Sequence, residues 1–224
     1  MLTGYPAAGQ VRITAQGDGG FALGVTSWTE IPFRSVVRQR YDYSCGSAAL
    51  ATLLTFHYGR PTSEAEAFKR MYASGDQAKI RQLGFSMLDM KRFIQSIGMT
   101  AEGYRLEPRE LQALDTPAIT LIQMGRYRHF VVVKGVRQDR VLIGDPALGV
   151  REIPLKDFLR MWNGVAFAIT GQRSSRFNAS AEWTLRAPAP LGLGLPSLSA
   201  DVLTRELAPL YQITPLIATG SPAP

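Results

Sequence analysis

The most informative part of the chain is residues 39–50, which read QRYDYSCGSAAL. Small and apolar residues follow Cys45, and they predict that a helix begins beside this cysteine. Unpaired backbone N–H groups and the helix dipole stabilise a thiolate at such a position. Gly46 would leave space beside the sulfur for the backbone of a bound chain. Cys45 is therefore a candidate nucleophile; the alternative is a small apolar residue of the core.

A thiol that attacks a carbonyl group needs hydrogen-bond donors for the oxyanion that develops. Gln39 precedes Cys45 by six residues. We expect its side-chain amide and the backbone N–H of Cys45 to form an oxyanion hole with two donors. Taken alone, Gln39 would be an exposed loop residue.

The nucleophile also needs a base, and the chain has two histidines. His57 lies about 18 Å along the predicted helix from Cys45, at a rise of 1.5 Å per residue, so we expect it to be structural. His129 opens the apolar run 130–133 and is the candidate base, although a histidine there could also be a satisfied edge residue. Asp145 ends the next predicted strand, where a hairpin would bring it beside His129 to orient the imidazole. Asp-Pro is also a common turn opening.

Local signals predict helices first and strands afterwards. Ser44 is a candidate cap and Gly59 a stop for the first helix, and Ser63 has capping-box spacing to Glu66. Helices are predicted at residues 46–58, from 61–64 onward, at 86–98, from Pro108 and at 155–161, and strands at 118–123, 129–136, 141–144 and 165–170. This order indicates the α+β class, with N-terminal helices packed on an antiparallel sheet.

Three regions differ in composition. Residues 1–35 contain two short alternating stretches separated by glycines, which predict an N-terminal arm or hairpin. Residues 36–171 hold the predicted α+β domain. Residues 172–224 contain seven of the 14 prolines and predict a flexible or surface-wrapping tail, with a candidate helix around 200–210.

The formal net charge of +7 is spread along the chain without a dense basic run, which does not favour a nucleic-acid partner. The arginines at 34, 38, 40, 126 and 128 indicate either a solvated surface or a basic rim that steers an acidic substrate. One cysteine excludes an intrachain disulfide, and the residues form no metal-ligand cluster, so no metal or cofactor is expected. No apolar run reaches the roughly 18 residues of a transmembrane helix.

Together these residues resemble peptidase family C39, the papain-like cysteine peptidases of the type that process bacteriocin leaders. The family pattern has a glutamine ahead of an Asp-Cys-Gly, then a small-residue helix, a His-Phe-Val-Val strand and an Asp-Pro followed by glycine. The matching pieces span about residues 36–170 and are Gln39, Cys45-Gly46, residues 48–50, residues 129–132, Asp145-Pro146 and Gly149. One departure is Ser44, where the family often has Asp; it could alter substrate contacts near the sulfur.

The resemblance implies a papain-like fold and hydrolysis of a peptide bond without a cofactor. It implies Cys45 as nucleophile, His129 as base, Asp145 as the orienting carboxylate and Gln39 as oxyanion donor. The expected substrate is a protein or leader peptide linked to bacterial export. No nucleotide-binding loop is present, so the chain is similar to free-standing C39 peptidases, such as the peptidase-like component of the functional-amyloid (Fap) secretion system. A periplasmic location, with a signal peptide already removed, is expected over a cytoplasmic one.

Two alternatives remain open. A Cys-His-Asp acyltransferase or amidase shares the nucleophile chemistry and differs in the acceptor. A C39-like module that only binds export substrates would not need the thiol, and the presence of Cys45 disfavours it.

Overall fold

The structure is a computed structural model that describes residues 9–14, 20–25, 29–41, 44–125, 127–174 and 176–183. Strands β1 (Gly9–Thr14) and β2 (Gly20–Val25) form a small antiparallel sheet, with Gly9 opposite Val25. This sheet lies in the region where the sequence predicts an arm or hairpin. A short 3₁₀ helix follows at Ile31–Phe33.

Four helices come next, before most of the strands. They are α1 (Cys45–Thr52), α2 (Glu64–Ser74), α3 (Gln77–Leu83) and α4 (Met87–Ser96). The predicted cap at Ser63 is confirmed, because its side chain accepts a hydrogen bond from the backbone N–H of Glu66. Ser86 caps α4 in the same way, with the backbone N–H of Asp89 as donor. Ser86 and Asp89 form a complete capping box, which satisfies donors that the first helical turn cannot pair.

The second half of the chain supplies the main sheet and three short helices. Its elements are β3 (Thr100–Arg105), α5 (Pro108–Gln112), β4 (Ala118–Met124), β5 (Tyr127–Arg137), β6 (Arg140–Asp145), β7 (Gly149–Pro154), α6 (Leu155–Met161), β8 (Trp162–Thr170) and α7 (Ser180–Trp183). Six strands pair antiparallel in the order β3-β8-β4-β5-β6-β7. The predicted α+β class, with N-terminal helices packed on an antiparallel sheet, is confirmed.

The central strand β5 is buried on both faces because helices cover both. Val132 belongs to a core cluster with Leu50 of α1 and Phe93 of α4. Val131 belongs to a second cluster with Leu111 of α5 and Phe158 of α6. Successive side chains of a strand point to opposite faces, so the apolar run of β5 supplies both cores and fixes this strand in the centre of the domain.

The first helix differs from its prediction at both ends. It begins at Cys45 and continues after Thr52 as a π-helical segment, Leu53–His57, instead of running as one α-helix over 46–58. The stop is correct, since Gly59 follows with φ of 61°, a conformation that favours glycine. Ser44 precedes the helix, but its side chain does not cap it. Its hydroxyl lies 2.6 Å from the carbonyl oxygen of Tyr41 and also contacts the Glu64 carboxylate, which draw it away from the helix N–H groups.

A buried ion pair joins the sheet to the described part of the tail. Lys134 of β5 is fully buried, and its Nζ lies 3.1 Å from Oε2 of Glu182 in α7. The same Nζ donates to the backbone oxygen and hydroxyl of Ser35, at 2.7 and 2.9 Å. The backbone N–H of Asn178 donates to the Lys134 oxygen at 2.9 Å. Residues 176–183 therefore pack on the domain, whereas the candidate helix at 200–210 lies outside the described residues.

Candidate active site

Cys45 is the first residue of α1, one position before the predicted start of the helix. All eight residues of this helix are buried, and Cys45 itself is 8% exposed. The sulfur thus lies at the N-terminal end of a helix that is buried on every side.

Gly46 has a different role from the expected one. A Cβ atom at this position would lie 2.9 Å from Cε of Met90 and 3.1 Å from Cβ of Phe85. Side chains of the domain therefore fill the space that the glycine leaves, and the prediction that Gly46 clears room for a bound chain is not supported. The glycine lets residues 85–90 approach the helix start closely.

His129 and Asp145 meet through the pairing of β5 and β6. Val132 lies opposite Gly144 in this ladder. Successive side chains of a strand alternate between the two faces, and His129 and Asp145 are each an odd number of residues from their member of this pair. Their side chains therefore share one face of the sheet. His129 Nε2 lies 2.7 Å from Oδ1 of Asp145, and both side chains are 2% exposed. Asp145 Oδ1 also accepts backbone N–H groups from Ala147 at 2.8 Å and Leu148 at 3.3 Å. The backbone N–H groups thus hold the carboxylate in place, and the carboxylate in turn orients the ring of His129.

The charges of the pair reinforce each other. Burial lowers the pKa of His129, but the hydrogen bonds and charges of Asp145 and Cys45 outweigh burial and raise the pKa to about 9. Burial raises the pKa of Asp145, whereas the hydrogen bond and charge of His129 and the two backbone N–H groups bring it below its ordinary value. An imidazolium beside a carboxylate is therefore the stable state of this pair at neutral pH.

Cys45 also influences the imidazole of His129. Its charge and side-chain hydrogen bonding contribute, beside those of Asp145, to the raised pKa of His129. Asp145 occupies Nε2 of the ring. The structure thus joins His129 to Asp145 by a hydrogen bond, and the role of Cys45 as the third member of a triad stays a prediction.

Tyr127 is a neighbour of the site that the sequence analysis missed. Its hydroxyl lies 3.4 Å from Nδ1 of His129, and the two rings stack with centroids 5.6 Å apart and planes 24° from parallel. The side chain is half exposed, so it covers the imidazole on the solvent side. An aromatic residue two positions before the histidine on the same strand was the available signal, since such residues share a face.

Gln39 is held near the Asp145 loop by its backbone. Its N–H donates to the carbonyl oxygen of Pro146 at 2.9 Å. Its Oε1 is buried without a hydrogen-bond partner among the described residues. The backbone contact brings Gln39 next to the loop that carries Asp145, and the role of its amide as an oxyanion donor stays a prediction.

His57 lies at the other end of the helical segment from Cys45 and does not join the site. Its Nδ1 is 3.2 Å from the hydroxyl of Ser174. The pKa of His57 is lowered to about 3, mainly by burial and further by the positive charges of Lys134 and Arg176. The ring is therefore neutral at physiological pH. Within the described ranges there is no group of three metal-ligating side chains, and no helix there is long and apolar enough to cross a membrane.

Comparison with known proteins identifies the family of the chain. The model of the peptidase C39 family matches residues 34–174. A "Probable functional amyloid protease FapD" of Pseudomonas fluorescens is 41% identical over 85% of this chain and 83% of its own length. The protein of the same name from Pseudomonas aeruginosa is 44% identical over 75% of this chain and 72% of its own length.

A solved structure supports the fold. The peptidase domain of Streptococcus ComA, a bi-functional ABC transporter, superimposes with a TM-score of 0.52 at 24% identity, over 62% of this chain and 98% of that domain. The helices and antiparallel sheet described above thus form a papain-like peptidase fold. The chain is a cysteine peptidase and belongs to the peptidase C39 family.

Proposed function

We propose that this peptidase processes a protein or leader peptide of a bacterial export system, with Cys45, His129, Asp145 and Gln39 as its catalytic residues. The observation that carries the proposal is the buried hydrogen bond of 2.7 Å between Asp145 and His129, an imidazole whose pKa Cys45 also helps to raise. The two FapD relatives are named as functional amyloid proteases, which favours a substrate from such a system.

The geometry supports a thiolate mechanism. The imidazolium of His129 stabilises the Cys45 thiolate, which attacks the peptide carbonyl and forms a tetrahedral intermediate. The backbone N–H of Cys45 and the side-chain amide of Gln39 donate to the oxyanion. His129 then gives its proton to the leaving amine, and the neutral ring takes a proton from the water that hydrolyses the thioester. Asp145 keeps the ring oriented and stabilises its charged form through both steps.

Alkylation of the chain's one cysteine tests the ion pair directly. Iodoacetamide reacts with the thiolate, so we expect wild-type Cys45 to be alkylated at pH 5.5 far faster than a free thiol, whose pKa is about 8.5. The His129→Ala variant should lose this excess reactivity. Wild-type labelling at the rate of a free thiol would contradict the mechanism.

Cleavage assays test the substrate. Wild type and Cys45→Ala would be incubated with the proteins encoded beside this chain, and the products would be identified by mass spectrometry. We expect one defined cut with wild type and a rate at least about 10⁴-fold lower without the thiol. Processing in cells that is unchanged by Cys45→Ala would instead indicate a module that only binds export substrates.

The acceptor of the acyl group separates a peptidase from an acyltransferase or amidase. Turnover would be followed in water alone and in water with an added primary amine, so that the acyl-enzyme divides between the two acceptors. Release of the free acid in both cases supports the peptidase. A product that is mainly the amide would assign the site to acyl transfer.

We also propose a periplasmic location for the peptidase. The support for it is the proposed substrate, since a protein that is exported crosses that compartment. Cell fractionation of a producing strain, with antibody detection, tests the location. Recovery in the cytoplasmic fraction alone would refute it.

A further inference from the structure

A cavity lies away from the catalytic residues, at the far end of the helical segment that begins with Cys45. Its volume is about 350 Å³, within the usual range for small-ligand pockets. The end of the π-helical segment and the chain just before α7 form its walls. Its lining residues are Thr55, Phe56, His57, Tyr58, Gly59, Gln172, Arg173 and Arg176.

The walls of this cavity are positive. Arg173 and Arg176 are exposed there, and neither forms an ion pair with another residue that the structure describes. None of the described lining residues is acidic. The charges of Lys134 and Arg176 contribute to the low pKa of His57, which shows that the potential around the ring opposes a further positive charge.

His57 contributes a buried, neutral ring to the cavity wall. The residue is 5% exposed. The hydroxyl of Ser174 accepts the backbone N–H of Arg176 at 3.3 Å, which leaves its own proton free to donate to Nδ1 of His57. Because the ring is neutral, the positive charge of the cavity comes from the arginines.

We propose that this cavity binds a phosphate group, either free phosphate or a phosphate monoester, through Arg173 and Arg176, beside the ring of His57. Guanidinium groups present paired N–H donors that match phosphate oxygens, and two of them balance a dianion. The volume exceeds that of a phosphate ion, which leaves room for the organic part of an ester. This site is separate from the catalytic residues, since Cys45 begins the helical segment and His57 ends it.

Nuclear magnetic resonance of the two histidine rings in the full chain tests the proposal. Inorganic phosphate and glycerol 3-phosphate would each be titrated at constant ionic strength and pH. The highest ligand concentration would be about 50-fold above a Kd of 1 mM. We expect a saturable shift of the His57 signal and no change in His129. Tighter binding of the ester supports a phosphate monoester as ligand, and tighter binding of the ion supports free phosphate.

Variants provide the controls. Arg173→Gln with Arg176→Gln should weaken binding at least about tenfold, as expected for the loss of charge-assisted contacts. Arg109→Gln removes an exposed arginine of α5 and should leave binding unchanged. The proposal is overturned by a linear, unsaturated shift, by equal binding to the double variant, or by acetate binding as tightly as phosphate. All variants should keep the fast alkylation of Cys45, so this result and the test of the catalytic site remain separate.

Discussion

Replacing Glu182 by alanine would leave the ammonium of Lys134 buried without its counter-ion. Lys134 is fully buried, and only Ser35 would still accept hydrogen bonds from its Nζ. Breaking a buried ion pair from one side costs about 3–5 kcal/mol. Burial already lowers the pKa of Lys134 to about 8, so the lysine can lose its proton at pH 7 for about 1 kcal/mol, at about 1.36 kcal/mol per pH unit. Loss of the hydrogen bond that the Ser35 hydroxyl donates to the Glu182 carboxylate at 2.6 Å adds about 1.5–3 kcal/mol.

We therefore expect Glu182→Ala to lower the free energy of unfolding by about 2–4 kcal/mol, a large part of the 5–15 kcal/mol of an ordinary domain. Urea unfolding followed by tryptophan fluorescence measures this difference. The same substitution at Glu102, which is half exposed and pairs with Lys91 at 2.8 Å, should cost no more than about 1 kcal/mol.

A double variant completes the test. Lys134→Met with Glu182→Ala removes both charges and should recover most of the loss, because an apolar side chain of similar length replaces the lysine. Equal losses for Glu182→Ala and Glu102→Ala, or a double variant no more stable than the single one, would refute the assignment of stability to this ion pair.

Three further predictions concern the catalytic site. The pKa of His129 is raised to about 9, so peptidase activity should fall as the pH rises through about 9 and the imidazolium loses its proton; an alkaline limb near 6.5 in the pH–rate profile would contradict this. Asp145→Asn keeps an acceptor for the ring and should retain more activity in a peptide-cleavage assay than Asp145→Ala, as an asparagine serves in papain-like triads; equal losses would show that the charge alone matters. Tyr127→Phe removes the hydroxyl 3.4 Å from Nδ1 and keeps the ring stack, so it should shift the alkaline limb without a loss of thermal stability, whereas an unchanged limb would exclude a hydrogen bond in the active enzyme.

Much of the fold is encoded locally and could be predicted from the sequence. Ser63 and Ser86 cap helices because their partners lie three residues away, within reach whatever the rest of the chain does. His129 and Asp145 meet because a short hairpin joins their strands, and strand alternation then sets which side they share. The candidate site was predictable for the same reason.

The elements that the sequence analysis missed depend on distant contacts. β3 (Thr100–Arg105) is an edge strand with one buried residue, so it shows no alternation of apolar and polar side chains. α3 (Gln77–Leu83) likewise buries only Ile80. Ser44 has the residue type and position of a cap, but the carboxylate of Glu64 and the carbonyl of Tyr41 compete for its hydroxyl. No local pattern reports such competition.

The complete burial of α1 has a consequence for how this enzyme can be controlled. A nucleophile that begins a helix packed on all sides cannot move to meet a substrate without disturbing the whole interior. Any opening or closing of the site must therefore come from the surface side, where Tyr127 lies half exposed over the imidazole. Conversely, a cavity-forming substitution beneath the helix, such as Leu50→Ala, would displace the sulfur and reduce turnover although it touches no catalytic group.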